Sequence, residues 1–287
     1  MSDYIICMDA SGDIIREAAM ENHIAFVPME YSLGDEMRTS KGCEEEALLK
    51  RFYDGQRRGD LTRTSQISPF LYEEYFKTFL QEGRSVLYFG LSSGLSSTYE
   101  SSLLAAKNLG EQYPEAKLLP VDTLAATGGI GILVERAIAN RGKGMSIEEN
   151  YEDVKAFVPH LRHYFMVQDL MYLKRGGRVS AATAIVGSAL NIKPMLKIDE
   201  NGKLVTVDKK RGNKAAMTAL FTFFLENYRP EVCNTIYICD ADTPQLAEDL
   251  AEKVREAAPE VKIRRTMLSP IIGAHTGPGM LSMILAC

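Results

Sequence analysis

The chain has 287 residues, 46% of them hydrophobic, and its 33 lysines and arginines stand against 38 aspartates and glutamates for a formal net charge of -5. That length and apolar content are enough for a large buried core, in two lobes or one large domain. The basic residues are scattered and form no stripe that would follow a phosphate backbone, which argues against nucleic acid as a partner.

The first element is a strand over 4–8, Tyr4-Ile5-Ile6-Cys7-Met8, with no basic region and long apolar run of a signal peptide before it. The five cysteines are odd in number and include no Cys-x-x-Cys pair. Buried, reduced thiols in a cytoplasmic protein are therefore expected. Further strands are predicted near 24–29, 86–90 and 117–122, and helices near 44–54, 69–81, 97–109, 126–140 and 147–158. Short apolar strands alternating with amphipathic helices predict a parallel sheet covered on both faces.

The second half reads differently. Pro194–Ile198 and Lys203–Val207 flank Asp199-Glu200-Asn201-Gly202, and the Asn-Gly pair supplies hairpin chemistry. A helix near 213–227, a strand near 235–239, a helix near 244–257 and a strand near 260–267 follow. The fold class is thus α/β with two lobes, an N-terminal parallel-sheet domain over 1–164 and a C-terminal domain with antiparallel pairing over 165–287. Residues 266–287 lack Asp, Glu, Lys and Arg, but Pro270, Gly273, Gly277, Pro278 and Gly279 interrupt them too often for a membrane span. They predict a loop feeding a short buried helix over 280–286.

The most informative stretch is Gly90-Leu91-Ser92-Ser93-Gly94-Leu95-Ser96-Ser97-Thr98-Tyr99-Glu100-Ser101. It crowds hydroxyl side chains into a strand-to-helix junction, where free backbone N–H groups and the positive end of a helix dipole favour an anion or a polarised carbonyl. Ligands of open α/β sheets bind beyond the carboxyl ends of the strands, where Asp9–Asp13 and Asp122-Thr123 also fall.

Several blocks in order along the whole chain carry a family resemblance. They are Thr64-Ser65-Gln66, Ser92–Tyr99, Asp122-Thr123 with Gly128-Gly129-Ile130-Gly131, Leu173-Lys174-Arg175-Gly176-Gly177-Arg178, Lys193-Pro194, and Gly273-Ala274-His275-Thr276-Gly277-Pro278-Gly279. On these the chain resembles the DegV family of bacterial fatty-acid-binding proteins, binding subunits of a fatty acid kinase system. The resemblance implies a lipid carrier that is not itself an enzyme. It would enclose a long-chain fatty acid between its lobes, hold the carboxylate near their interface and present it to a kinase subunit. The head-group roles carry over to Thr64, Ser96 and His275, with Ser97 beside them. Arg178 and Arg211 match family arginines near the ligand mouth, where they would steady the acid or engage the kinase. The resemblance also implies a monomer in transient contact with membranes. Two departures stand out: Ser97 replaces a common glycine, and Asp9-Ala10-Ser11 replaces the usual Asp-Ser-Thr/Ser.

The competing reading is a serine hydrolase. Gly90-Leu91-Ser92-Ser93-Gly94 fits Gly-x-Ser-x-Gly, with Asp240 or Asp242 and then His275 in the required order, although no His-Gly-Gly-Gly segment lies upstream. Gly129-x-Gly131 lacks the third glycine of a dinucleotide fingerprint, and Arg175-Gly176-Gly177-Arg178 is no P-loop. His160 and His163 near Asp153 share a segment broken by Pro159, so neither a metal nor a cofactor is expected. Tyr72, Tyr75, Phe76 and Phe79 predict a core stripe rather than a cofactor box. Phe221, Phe223, Phe224, Met280 and Met283 are candidate acyl-chain contacts, though plain core is the commoner role of such residues.

Overall fold

A computed structural model describes residues 4–180 and 191–287. Strand β1 (Ile5–Asp9) is buried along its whole length and leads through α1 (Arg16–Glu21) to β2 (Ala25–Val27), which pairs with it in parallel. Pro28, which has no N–H to donate, separates β2 from β3 (Met29–Leu33). The strand expected near 24–29 is therefore split between two sheets: β3 pairs antiparallel with β4 (Glu36–Ser40) and with β5 (Thr62–Thr64). The three form a small sheet, and the 13-residue helix α2 (Glu46–Arg58) runs between β4 and β5.

Helix α3 (Pro69–Leu80) starts where the sequence places it, because the Ser68 hydroxyl caps the Leu71 N–H and Pro69 occupies the first turn. Next come β6 (Val86–Gly90), α4 (Thr98–Gln112), β7 (Leu118–Asp122), α5 (Gly128–Gly142) and α6 (Ile147–Phe157), the last opened by a Ser146–Glu149 capping box. The resulting four-stranded sheet, in the order β2-β1-β6-β7, is parallel throughout. Tyr72 and Phe76 of α3 are fully buried, as a core stripe requires.

The second sheet takes β8 (Leu161–Met166), then after α7 (Met171–Arg175) the hairpin β9 (Ile192–Ile198) and β10 (Leu204–Arg211). Helix α8 (Gly212–Asn227), β11 (Thr235–Asp240), α9 (Pro244–Ala257), β12 (Lys262–Met267), α10 (Pro270–Thr276) and β13 (Leu281–Ala286) complete it. Its order is β10-β9-β8-β13-β11-β12, antiparallel except for the β11–β12 pair. The domain division expected between residues 164 and 165 falls inside β8, whose residues Leu161 to Met166 all pair with β13.

The short helix expected over 280–286 is instead β13, a strand buried at every position between β8 and β11. A continuous apolar run of that length reads equally well as buried helix or central strand, and only its pairing partners decide. The segment before it, expected as loop, contains α10, and His275 lies in the last turn of that helix.

The lobes meet along α5, and its glycines explain how closely. A Cβ at Gly128 would stand 2.4 Å from Tyr237, and one at Gly129 would stand 2.2 Å from His163. The Gly128–Gly131 run is therefore a packing face against the second sheet. Tyr237 donates to Glu135 at 2.6 Å and Arg264 pairs with the same carboxylate at 3.0 Å, which ties α5 to β11 and β12.

Candidate functional site

Between the two sheets lies a cavity of about 510 Å³. Its polar end is built from the loop after β6, the end of β5 and the last turn of α10. The β6 loop is pinned first by Asp9, whose buried carboxylate accepts the Leu91 N–H at 2.9 Å, the Tyr88 hydroxyl at 2.9 Å and the Ser11 N–H at 2.9 Å. Burial pushes the Asp9 carboxyl up, and these donors pull it back. The Ser93 N–H donates to Asp122 at 3.1 Å, and the Ser92 hydroxyl donates to the Gly202 carbonyl at 2.8 Å. Three connections thus hold the hydroxyl-rich loop in one shape, the last reaching across to the β9–β10 turn.

On the facing wall, the Thr64 hydroxyl and His275 Nε2 lie 2.8 Å apart. Helix α10 is fixed by donors from the small sheet and α2: Gln56 Nε2 to the Gly273 carbonyl at 3.0 Å, and the Thr62 hydroxyl to the Ala274 carbonyl at 3.0 Å. Burial and then the Arg178 guanidinium push the His275 imidazolium down to about 4, so the ring is neutral at physiological pH. Its Nδ1 is buried without a hydrogen-bond partner among the described residues. Arg178 lines the same cavity and donates Nε to the Leu95 carbonyl at 3.1 Å.

Of the residues expected from sequence, Thr64, Ser96, Ser97, Arg178 and His275 line this one cavity. The Ser96 hydroxyl is 2.7 Å from that of Thr98. Ser97 is exposed at the N-cap of α4, does not cap it with its side chain, and accepts Gln66 Nε2 on its carbonyl at 3.0 Å. Arg211 is not brought to the cavity. It sits exposed at the N-cap of α8 beside a separate surface groove with Lys210 and Lys214.

The hydrolase constellation is not assembled. Ser92 is fully buried with its hydroxyl on Gly202, Asp240 accepts the Thr243 N–H at 2.7 Å, Asp242 pairs with Arg57, and His275 bonds Thr64. His160 and His163 also part company: His160 Nδ1 meets the Cys287 carbonyl at 2.8 Å, whereas His163 points inward to the Ala126 carbonyl at 3.3 Å.

The rest of the cavity is mostly apolar, with Phe165, Ile198, Leu204, Ile271, Ile272 and Ile284 prominent in its wall. Of the candidate acyl contacts only Met280 is among the lining residues; Phe224 and Met283 are buried in a separate core around α8 and α9, with Phe221 and Phe223 packed against it. Sequence reasoning missed Phe165 and Ile284 because their strands were not recognised. The His163-x-Phe165 alternation was the available signal for an inward face.

A family model described as "Uncharacterised protein, DegV family" matches residues 4–286. The chain belongs to the DegV family. Within it, the chain is 36% identical over 283 residues to the DegV domain-containing protein CPE0026 of Clostridium perfringens, covering 99% of this chain and 97% of the relative. It is 34% identical to YteA of Lactococcus lactis, covering 97% and 96%. Among solved DegV structures, a lipid binding protein of Thermotoga maritima superposes with a TM-score of 0.85 at 26% identity, covering 99% and 98% of the two chains. A second Thermotoga maritima protein, TM841, for which a fatty acid binding function is described, gives 0.82 at 25% identity with 100% of both chains covered.

Proposed function

We propose that this DegV protein is a carrier that binds one long-chain fatty acid, with its acyl chain in the apolar cavity and its carboxylate at the Thr64–His275 end. The observation that carries this reading is the pairing, in one cavity, of an apolar stretch of wall with a cluster of hydrogen-bond donors around Thr64 and His275. A carboxylate in so enclosed a place needs several hydrogen bonds to offset its desolvation, and Thr64, Ser96, Ser97, His275 and Arg178 are the groups to supply them. The fatty acid and lipid binding of the two Thermotoga relatives supports the same ligand class.

The carrier would present the acid to an ATP-dependent fatty acid kinase and release it as acyl phosphate. The groove edge carrying Lys210 and the exposed Arg211 and Lys214 is the face we assign to that partner, apart from the cavity. Among the described residues no helix is long and apolar enough to cross a membrane.

Native mass spectrometry of the protein purified from a bacterial host tests the proposal. One fatty acid per chain is the expected result, and a protein that neither retains a fatty acid nor takes one up on incubation would refute it.

A further inference from the structure

The cavity holds a second polar station, where β8 faces the start of α5. His163 is only 6% exposed and lines the cavity. Its Nε2 lies 3.3 Å from the Ala126 carbonyl. A carbonyl only accepts, so a neutral His163 carries its proton on Nε2 and leaves Nδ1 as a bare acceptor. Burial pushes the imidazolium down to about 4, which keeps the ring neutral. Nδ1 has no hydrogen-bond partner among the described residues.

Next in the chain to Ala126 stands Thr127, 4% exposed and also in the cavity wall. It is β-branched yet held at φ 54 and ψ -132, a conformation that costs backbone strain. Its hydroxyl makes no capping bond to α5 and has no other partner among the described residues. Two polar groups on buried residues of the cavity wall, one an acceptor and one able to donate, thus have no protein partner among the described residues. An unsubstituted alkyl chain leaves both without a partner, which is costly in a dry site.

Building on the fatty-acid reading above, we propose that this station selects acids carrying a hydroxyl group on the acyl chain. The ligand hydroxyl donates to His163 Nδ1 and accepts from the Thr127 hydroxyl. A keto group at the same carbon can accept but has no proton to give His163. The match is therefore specific to the alcohol.

The test compares octadecanoic acid with a panel of hydroxyoctadecanoic acids differing in hydroxyl position, and with the keto analogue of the best of them. We expect one positional isomer to bind about five- to tenfold more tightly than the unsubstituted acid, the gain of roughly one net hydrogen bond. The keto analogue should lose most of that gain, and within His163→Phe the hydroxy acid should bind no more tightly than octadecanoic acid. Binding of octadecanoic acid with no preference for any isomer would overturn this proposal and leave the carrier reading standing, and so would a preference that survives His163→Phe. Should that variant not fold, the wild-type panel with its keto control decides alone. Failure to bind any of these acids would remove the carrier reading and this proposal together.

Discussion

Thr64 and His275 stand 211 positions apart in the chain, and their side chains meet at 2.8 Å in the wall of the cavity. The pair is held from behind, since Thr62, two residues before Thr64 on β5, bonds the Ala274 carbonyl next to His275. One short strand therefore sets both partners. Removing either should be felt by an anionic ligand.

A hydrogen bond to a charged group contributes about 1.5–3 kcal/mol, so Thr64→Ala, Ser96→Ala and His275→Ala should each weaken fatty acid binding roughly ten- to a hundredfold. Their effects should not add, because the groups share one carboxylate. Titration with a fatty acid and its methyl ester checks this. Equal affinity for acid and ester in the wild type, with unchanged acid affinity in the variants, would move the carboxylate elsewhere.

Gly94 faces the β9–β10 turn so closely that a Cβ there would lie 2.4 Å from the Asn201 carbonyl oxygen and 2.6 Å from that of Gly202. Gly94→Ala must push the turn away and strain the Ser92–Gly202 bond, at a cost of about 1–3 kcal/mol as for other overpacked sites. Urea unfolding should report that loss, and a cavity opened at this seam should release ligand faster. A variant as stable as the wild type would show that the turn yields freely.

Asp13 accepts the Ser269 N–H at 3.2 Å on one oxygen, while the other is buried with no hydrogen-bond partner among the described residues. Burial pushes its carboxyl up to about 8, whereas in the unfolded chain it titrates near 3.8. The folded state therefore binds the extra proton between those values, and the Asp13 contribution to stability is full below the unfolded value and lost as pH rises to about 8. His163 and His275 act in the opposite sense: each falls to about 4 from 6.5, so their contribution is lost as pH drops through that window. Asp13→Asn should gain on the wild type by up to about 1.4 kcal/mol per pH unit between pH 6.5 and 8. Denaturant midpoints across that range measure it, and parallel curves would contradict the assignment.

Arg211 provides the cleanest separation of ligand from partner, because it lies outside the cavity. Arg211→Ala should keep its fatty acid in native mass spectra yet lower acyl phosphate formation by a reconstituted fatty acid kinase. Loss of bound acid from the purified variant would instead assign Arg211 to the ligand.

Local chemistry was written plainly in the sequence. Ser68-Pro69 starts α3, the Asn201-Gly202 pair turns β9 into β10, and Leu91–Ser101 marks the hydroxyl-rich junction, because caps, turns and strand-to-helix transitions depend on neighbours a few residues away. Those blocks also carried the family, and with it the expectation of a head-group site at Thr64, Ser96 and His275, which line one cavity. Tertiary structure alone decided the rest. Leu281–Ala286 is a strand because β8 and β11 flank it, and no pattern within six buried residues holds that information. The cavity wall draws Phe165, Ile198 and Ile284 from three strands of one sheet, and burial at His163 and His275 leaves both rings neutral. Apolar contact and desolvation are sums over distant parts of the chain, so they become readable only once the chain has folded.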